Sequence, residues 1–453
     1  MCDTFGLIFC GSGAVATCVM QLMYVREPWF LDLPIVIIDC QKNILKNPII
    51  VNIFGELRAE GDNNVFSKRN ACFINAEIKQ HNYKEVLNNA YASLNARSAC
   101  IKKGIMIELA YRLDTSSLID WCESKNFMYI NTAIDKWTLE HETGLLELKN
   151  KIAKKTYKNT MLFNHGMNPG LVSHFAKNAI DVLYSKYSKY SKCSKNSKNT
   201  KESRNITYAD KASAIGLTKI IISERDTQYS TKYAPSKILG AQKIVNTWSV
   251  IGFLDEAYDH VQVTSHDNIK DTIKTVQCQK ILKQRAKDYK VKSYEPMEGM
   301  ITGYCIPHAE TYSLGLLLDS VKNLNIYYCY FICKHGEDAL KHEDQIKLNY
   351  SNYYVLRAKD IDNDSMYDSV GCLLNTKYGK FWAGTILTNG EAKRLSPDVN
   401  ATTIQVASSI VGAVIWMINH PNEGIIEPET VDSRFILMYA KPYLGKFIEC
   451  QEI

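Results

Sequence analysis

The chain has 453 residues, enough for two or three domains, and 23% charged and 46% hydrophobic residues, which is typical of a globular protein. Its net charge of +6 equals that of the segment 184–204 alone, so the rest is near neutral and we expect no nucleic-acid partner. The 14 Cys include no C-x-x-C pair, so we expect no metal site and, with reduced thiols, a cytoplasmic location. The uncharged apolar run 404–418 is too short to span a bilayer, so we expect no membrane partner.

The first stretch, 5–9, is apolar and predicts a buried strand, and an apolar helix is predicted after residue 16. Between them the chain has the pattern G-x-G-x-x-A. In that pattern Gly11 allows a tight turn, Gly13 lets the backbone approach a pyrophosphate, and Ala16 lets the helix pack close to the strand. Phosphates would lie at the amino end of the helix. The predicted cofactor-binding residues here are Gly11, Ser12, Gly13, Ala14, Val15 and Ala16.

The next predicted strand, 34–39, ends at Asp39, 28 positions after Gly11. An acid at this place accepts hydrogen bonds from ribose hydroxyls and repels a 2′-phosphate, which favours NAD over NADP. The spacing exceeds the usual ~20 residues, and a longer connection through Pro28 and Pro34 would account for it. The alternative is an ordinary strand–helix–strand turn in which Asp39 only caps a loop.

Strands and helices then alternate to about residue 165, which predicts a doubly wound parallel sheet of the Rossmann type. The predicted helices include 83–93, one capped by Thr115 and its neighbours, and 140–152. Three polar stretches follow predicted strands, at 114–117, 131–135 and 164–170. Each alone would be a capped loop. Together, at the carboxyl ends of parallel strands, they predict a shared cleft.

The Lys- and Ser-rich segment 184–204 predicts a solvated, mobile insertion. From about residue 206 to 394, aromatic strand-like segments separated by polar turns predict a second α+β domain with a largely antiparallel sheet. A long apolar helix at 401–418 and a shorter one at 428–439 follow. We therefore predict an NAD-binding domain at 1–166, a substrate-binding and dimerisation domain at 167–397, and C-terminal helices within 398–453 that pack back on the first domain.

The second domain carries three stretches that combine acids with aromatic residues or His, namely 223–228, 246–256 and 307–312. Carboxylates beside an aromatic face would bind a cationic amine. On pattern alone, Trp248 is more simply a core residue and the acids are surface groups.

These stretches, together with Asn-His-Gly-Met-Asn-Pro-Gly at 164–170 and Asn-Ala-Thr at 400–402, resemble the bacterial-type homospermidine synthases of the saccharopine dehydrogenase-like group. The resemblance covers the whole chain except 184–204. It implies NAD as a recycled hydride carrier. Putrescine would be oxidised to an imine, a second putrescine would attack, ammonia would leave, and the hydride would return to give homospermidine. The resemblance also implies a homodimer, and it leaves open whether spermidine can serve as a donor.

The resemblance assigns residues position by position. Trp248 matches a residue that binds the reacting amine through its ring, and Glu224 and Glu256 match acids that hold ammonium groups. Asn168 and His308 complete the implied catalytic set. The implied substrate-binding residues are Asp114, Asp135 and Glu310, and the further cofactor-binding residues are Thr115, Asn131 and Thr132. At Asp135 the family has Glu, so the shorter side chain would leave a gap or shift diamine selectivity.

The alternative function is a carboxyspermidine- or saccharopine-type dehydrogenase, which condenses an amine with a carbonyl acid reductively. Such an enzyme needs a cationic clamp, usually Arg, for the substrate carboxylate. Arg225 is the candidate for that clamp. A third class, a non-catalytic binding protein that uses the Lys-rich segment, would lose its partner if that segment were deleted.

Overall fold

The computed structural model describes residues 5–55, 70–97, 101–137, 148–149, 151–152, 154–192, 206–233, 244–341 and 353–451. Among them the chain divides into two compact units. The first unit comprises 1–170, 403–431 and 438–440, and the second comprises 171–402, 432–437 and 441–453.

The strands, in chain order, are β1 Phe5–Cys10, β2 Ile35–Asp39, β3 Ala71–Asn75, β4 Lys103–Glu108, β5 Phe127–Asn131, β6 Met161–Leu162, β7 Lys219–Asp226, β8 Ile244–Asn246, β9 His260–Ser265, β10 Thr272–Val276, β11 Gln279–Arg285, β12 Lys290–Glu295, β13 Gly299–Tyr304, β14 Asn325–Phe331, β15 Tyr353–Val355, β16 Tyr367–Thr376, β17 Gly379–Thr388, β18 Ile425–Ile426 and β19 Lys446–Gln451.

The α-helices, in chain order, are α1 Ala14–Arg26, α2 Pro48–Phe54, α3 Tyr83–Asn95, α4 Thr115–Ser124, α5 Leu171–Lys192, α6 Tyr208–Ala214, α7 Val250–Tyr258, α8 Ala309–Leu317, α9 Lys334–Lys341, α10 Asn389–Leu395, α11 Ala401–Asn419 and α12 Ser433–Ala440. Most of the predicted helix at 140–152 lies outside the described residues.

The first unit is built on a seven-stranded sheet with the order β18-β6-β5-β4-β1-β2-β3. All of its strand pairs are parallel. The central strand β1 is buried along its whole length, as a continuous apolar run in a sheet covered on both faces should be. The order reverses direction beside β1, which is where such sheets bind ligands. The predicted Rossmann-type sheet is confirmed.

The second unit contains a ten-stranded sheet whose main path runs β10-β11-β9-β14-β7-β16-β17-β19, with the hairpin β12–β13 joined to β14. Its pairs are antiparallel except β14 with β7. The predicted largely antiparallel α+β domain is confirmed. The four strands β10 to β13 were not predicted. The sequences of β10 to β12 are rich in Lys, Gln and Thr, and β10 is mostly exposed, so these strands lack the apolar signal on which the prediction depended.

Two predictions about chain segments are wrong. Residues 184–192 were predicted to be a mobile loop, but they continue helix α5. The spacing of three places Tyr184 and Tyr187 on neighbouring turns, and the Tyr187 ring stacks on Tyr378 with a 3.8 Å separation of ring centroids. The helix therefore has an aromatic contact despite its charge. Residues 193–204 lie outside the described residues.

The second error concerns the C-terminal region, which was predicted to be helical and to pack on the first domain. Residues 403–431 do belong to the first unit, but 441–453 belong to the second. There β19 pairs antiparallel with β17 as the edge strand of the sheet. The predicted helix at 428–439 is also divided, into a 3-10 turn at Pro428–Thr430 and helix α12, because Asp432 starts a new helix as its N-cap.

Helix α11 is long and apolar enough to cross a membrane by length and composition, but 89% of its most apolar window is buried inside the structure. That degree of burial is typical of a core helix.

Candidate active site

The glycine loop of the first unit joins β1 to α1. Gly11 has a φ of +96°, and a Cβ atom there would lie 3.0 Å from the backbone of Leu109 and Ala110. Both the turn and the close approach therefore require glycine. Gly13 is the N-cap of α1 and provides no side-chain cap, and a Cβ atom at Gly13 would meet nothing within 4 Å. The amino end of α1 thus has open space where its N–H groups can bind an anion.

The carboxylate of Asp39, at the end of β2, holds this loop in place. Its Oδ2 accepts hydrogen bonds from Ser12 N and Ser12 Oγ, both at 2.7 Å, and its Oδ1 accepts one from Gln41 N at 2.7 Å. The 3-10 helix Pro28–Asp32 between α1 and β2 accounts for the long spacing from Gly11. Each carboxylate oxygen has more than one lone pair, so Asp39 keeps acceptor capacity for ribose hydroxyls.

The polar stretches at the carboxyl ends of β4 and β5 use their acids to bind backbone N–H groups. Helix α4 was predicted to be capped by Thr115, but its N-cap is Asp114. The Asp114 Oδ1 accepts a hydrogen bond from Ser117 N at 2.7 Å. Asp135 accepts from Arg112 N and Lys136 N, each at 2.7 Å. These contacts show what shapes the loops, and the substrate-binding roles of Asp114 and Asp135 stay predictions.

Thr115 and Asn131 are buried, and Asp135 N donates to Thr115 Oγ1 at 3.0 Å. Their position beneath the loops means that as cofactor ligands they would act mainly by shaping the backbone. Thr132 is half-buried, and its Cβ lies 3.3 Å from the place a Cβ atom on Gly166 would take.

Asn168 lies on the tight turn from Gly166 to Gly170. Gly166 N donates to Pro169 O at 2.8 Å, and a Cβ atom on Gly170 would lie only 2.2 Å from Gly166 O. Gly170, with a φ of +129°, therefore cannot be replaced without opening the turn. The turn presents Asn168 half-buried.

In the second unit, the structure brings His308 between two of the predicted acids. His308 Nδ1 lies 3.1 Å from Glu310 Oε2, and His308 Nε2 lies 3.4 Å from Glu256 Oε1. Burial by itself would lower the pKa of His308, but the two carboxylates outweigh it and hold that pKa well above its usual value. His308 is therefore an imidazolium at neutral pH.

Glu256, on α7, keeps one oxygen for another partner. Its Oε2 is buried and has no hydrogen-bond partner among the described residues. Its side chain as a whole is 26% exposed. Burial raises the pKa of Glu256, although the nearby His308 partly offsets this effect. A cationic ligand at Oε2 would satisfy the orphaned acceptor.

Glu224 lies on β7 beside this pair and is 4% exposed. Tyr328, on β14, donates a hydrogen bond to its Oε2 at 2.5 Å, and the Tyr328 ring stacks on His308 with centroids 4.4 Å apart. Burial raises the pKa of Glu224, and Asp226 and Glu256 add to that shift. A carboxyl of this kind exchanges its proton near neutral pH.

Two further acids lie on the same face of the sheet. Asp226 is two residues after Glu224, and it is paired in register with Asp368 of β16. Burial raises the pKa of both, and for Asp368 the neighbouring Asp226 and Glu224 add to the shift. We call the five carboxylates the acid cluster: Glu224, Asp226, Glu256, Glu310 and Asp368.

Trp248 borders the acid cluster through Tyr330. Its Nε1 donates to Tyr330 Oη at 2.9 Å, and Tyr330 pairs in register with Glu224. Phe253 packs edge-on against the indole. The contacts anchor Trp248 while its side chain stays half-buried, so an aromatic face beside the acids is available to a cation.

Arg225 lies on the opposite face of the sheet, because consecutive residues of a strand alternate. Its guanidinium binds Glu295 and Glu298, each at 3.2 Å, and stacks on Phe331. Arg225 is therefore committed to an ion-pair network away from the acid cluster.

The structure thus brings together five of the predicted residues within the second unit, namely Glu224, Trp248, Glu256, His308 and Glu310. It also adds Tyr328, Tyr330 and Asp368, which the sequence did not reveal. Tyr328 and Tyr330 lie in the aromatic run of β14, where they look like ordinary core residues, and Asp368 follows a tyrosine in β16 with no motif around it. Only the strand register shows that they face Glu224.

Comparisons with known proteins agree on one family. The family model of the saccharopine dehydrogenase C-terminal domain matches residues 166–451. A homospermidine synthase from Blastochloris viridis is 26% identical over 414 residues, 84% of this chain and 81% of that protein. One from Mesorhizobium japonicum is 24% identical over 417 residues, 85% of this chain and 81% of that protein.

Solved structures give the same result. The homospermidine synthase of Legionella pneumophila in complex with NAD superimposes with a TM-score of 0.78 at 25% identity, over 99% of this chain and 91% of that one. Saccharopine dehydrogenase from Saccharomyces cerevisiae has a TM-score of 0.54 at 10% identity, over 99% of this chain and all of that one, which shows a shared fold alone. The predicted resemblance is confirmed.

Proposed function

This chain belongs to the saccharopine dehydrogenase C-terminal domain family, and we propose that it is a homospermidine synthase. The proposed reaction is an NAD-dependent aminobutyl transfer between two putrescine molecules. One putrescine is oxidised to an imine, the amine of the second attacks the imine carbon, and ammonia leaves. Reduction of the new Schiff base gives homospermidine, so two putrescines yield one homospermidine and one ammonia without net oxidation.

The observation that carries this proposal is the acid cluster. Five carboxylates share one region of the second unit, and the cationic His308 lies between two of them. Burying several acids together is costly unless cations compensate them. A diamine carries two positive charges on a flexible apolar chain. Its ammonium groups would be held by carboxylates and by the face of Trp248, as the resemblance implies.

The residues of the glycine loop fit NAD. Open space at Gly13 and the uncapped end of α1 suit a pyrophosphate, and the Asp39 carboxylate suits unphosphorylated ribose hydroxyls. When bound, NAD supplies the hydride acceptor for the oxidation and the hydride donor for the reduction. Residues 11–16 and Asp39 would hold it, with Thr115, Asn131 and Thr132 shaping the adjoining loops.

The chain's own residues would bind amines and move protons. Glu224, with its raised pKa, would hold an ammonium group when ionised and take its proton to leave a nucleophilic amine. The imidazolium of His308 would orient Glu256 and Glu310. Asn168 would belong to the catalytic set, as the resemblance implies. The acidic residues Asp114 and Asp135 would interact with a distal ammonium group.

The alternative dehydrogenase function needs a cation that can clamp a substrate carboxylate. Arg225 was its candidate, but its guanidinium is bound by Glu295 and Glu298 on the other face of the sheet. The acid cluster would also repel a carbonyl acid. We therefore favour a diamine over a keto acid as the substrate. We further propose that the enzyme works in the cytoplasm as a homodimer.

Product analysis tests the proposal. The purified protein is incubated with putrescine and NAD, without a carbonyl compound, and the products are followed by mass spectrometry. We expect homospermidine and ammonia in equal amounts, with no accumulation of NADH. Formation of product only after addition of a keto acid or semialdehyde with reduced cofactor would contradict the proposal and favour the reductive dehydrogenases.

A further inference from the structure

A buried carboxyl group, Glu108, ends strand β4 in the first unit. It lies between its in-register neighbours Cys10 of β1 and Asn131 of β5 and is 3% exposed. Beside it, Met106 of the same strand and Leu118 of α4 belong to one hydrophobic cluster with Cys10. A buried acid in such a place lowers stability unless it is fully hydrogen-bonded, so its presence requires a purpose.

Glu108 is the end of a chain of side-chain hydrogen bonds. Its Oε1 accepts from Ala110 N at 3.0 Å, and its Oε2 accepts from the Tyr129 hydroxyl at 3.1 Å. The Tyr129 oxygen in turn accepts from Asn131 Nδ2 at 3.1 Å. These contacts favour one orientation of the Asn131 amide, in which its Nδ2 points toward Tyr129 Oη and, at 3.4 Å, toward Thr115 Oγ1.

With its Nδ2 so placed, Asn131 turns its Oδ1 toward the loop that follows β6. Asn131 Oδ1 accepts from Asn164 N at 3.0 Å, and Asn131 O accepts from His165 N at 2.9 Å. Asn164 has a φ of +55° and its Oδ1 accepts from Ile134 N at 3.1 Å. Asn131 therefore holds the start of the turn that carries Asn168. It does so at Asn164, whose backbone conformation non-glycine residues seldom adopt.

We propose that Glu108 is a positioning residue: through Tyr129 it orients the Asn131 amide, and Asn131 holds the 164–170 turn in the shape that presents Asn168. A reversed Asn131 amide would set its NH₂ group against the N–H of Asn164, and the turn would shift. This inference concerns the structure of the turn, and only its catalytic consequence rests on the proposed function.

The other titratable groups near Glu108 do not replace it. Asp135 is committed to the N–H groups of Arg112 and Lys136. Burial raises the pKa of the Cys10 and Cys122 thiols and of Tyr129, so these groups are neutral at physiological pH. Glu108 is then the acceptor at the end of the chain of hydrogen bonds, and because burial raises its pKa to about 8, it becomes a carboxylate as the pH rises past that value.

The test is hydrogen–deuterium exchange of the full-length protein without substrate, followed in the peptide that contains Asn164. Tyr129→Phe removes only the linking hydroxyl. We expect the Asn164 amide to exchange about fivefold faster, since one hydrogen bond no longer holds its acceptor. Tyr157→Phe is the matched control, because the Tyr157 hydroxyl also donates to a carboxylate, Asp120 at 2.6 Å, outside this chain of hydrogen bonds. It should leave the peptide unchanged.

Glu108→Gln provides a second variant, which keeps the side-chain shape if Tyr129→Phe does not fold. Measured above pH 8, where Glu108 is a carboxylate, it should also speed exchange, and the double variant Glu108→Gln/Tyr129→Phe should be no faster than Tyr129→Phe alone, because both act through Asn131. Exchange in Tyr129→Phe equal to that in Tyr157→Phe, or additive effects in the double variant, would overturn the inference.

Kinetics separate this inference from the proposed function. If both hold, Tyr129→Phe lowers kcat for homospermidine formation and leaves the KM for putrescine nearly unchanged, because Asn168 is displaced and no ammonium-binding acid is lost. Faster exchange in a protein whose wild type makes no homospermidine would contradict the proposed function and leave the positioning role intact.

Discussion

At the scale of single residues, the site is defined by charge. His308 is held as an imidazolium by Glu256 and Glu310. Burial raises the pKa values of Glu224, Asp226 and Asp368, and neighbouring acids add to the shift for Glu224 and Asp368. Such a group of acids is unfavourable by itself and becomes favourable when cations enter. This is the electrostatic reason to expect diamine substrates.

Glu224→Gln tests that reason. The variant should lose about 10- to 100-fold in kcat/KM for putrescine at neutral pH, because a buried charge-assisted hydrogen bond is removed. In the wild type the raised pKa means that the carboxylate forms only as pH rises, so kcat/KM should increase from about pH 6 to about pH 8. The variant should lack this increase.

The matched control for Glu224→Gln is Glu298→Gln, since Glu298 lies on the other face of the sheet, paired with Arg225. It should retain the wild-type pH profile. A profile for Glu224→Gln that parallels the wild type would remove Glu224 from amine binding.

Individual residues also show what a sequence pattern can identify. Gly11, Gly13 and Asp39 could be predicted because the motif is local and each residue has a stated backbone or hydrogen-bonding reason. Trp248 and Glu224 could not be separated from core and surface residues by pattern, and only the family resemblance selected them. Tyr328, Tyr330 and Asp368 were missed because their role depends on register between strands distant in sequence.

At the scale of elements, successive side chains of β7 point to opposite faces of the sheet and make different contacts there. Glu224 and Asp226 face the acid cluster, and Arg225 between them ties the hairpin β12–β13 to the back of the sheet through Glu295. The strands of the first unit were predictable because buried parallel strands are continuous apolar runs. The polar strands β10 to β13 and the charged end of α5 carry no such signal.

Helix α4 provides a test at this scale, because its N-cap is also a predicted substrate ligand. Asp114→Ala should lower the free energy of unfolding by about 1 kcal/mol, whereas Asp114→Asn should keep the cap and nearly all of the stability. If Asp114 also binds an ammonium group, Asp114→Asn should raise the KM for putrescine severalfold. Thermal unfolding and steady-state kinetics check the two effects, and an unchanged KM would restrict Asp114 to capping.

At the scale of the whole molecule, the proposed cofactor-binding residues lie in the first unit, and most of the proposed amine-binding residues lie in the second. The first unit has the glycine loop, the acid at the end of β2 and the turn with Asn168, all at the carboxyl ends of parallel strands. The second unit has the acid cluster and Trp248. The net positive charge of the chain equals that of residues 184–204. The proposed reaction needs a hydride carrier as well as acids that bind amines.

The most direct test of this account uses putrescine carrying deuterium at both carbons next to nitrogen, with unlabelled NAD, and mass spectrometry of the product. If the hydride removed in the first step returns in the last, homospermidine should keep every deuterium of the two putrescines from which it formed. Homospermidine lacking one deuterium, or product only when reduced cofactor is supplied, would contradict the proposed cycle.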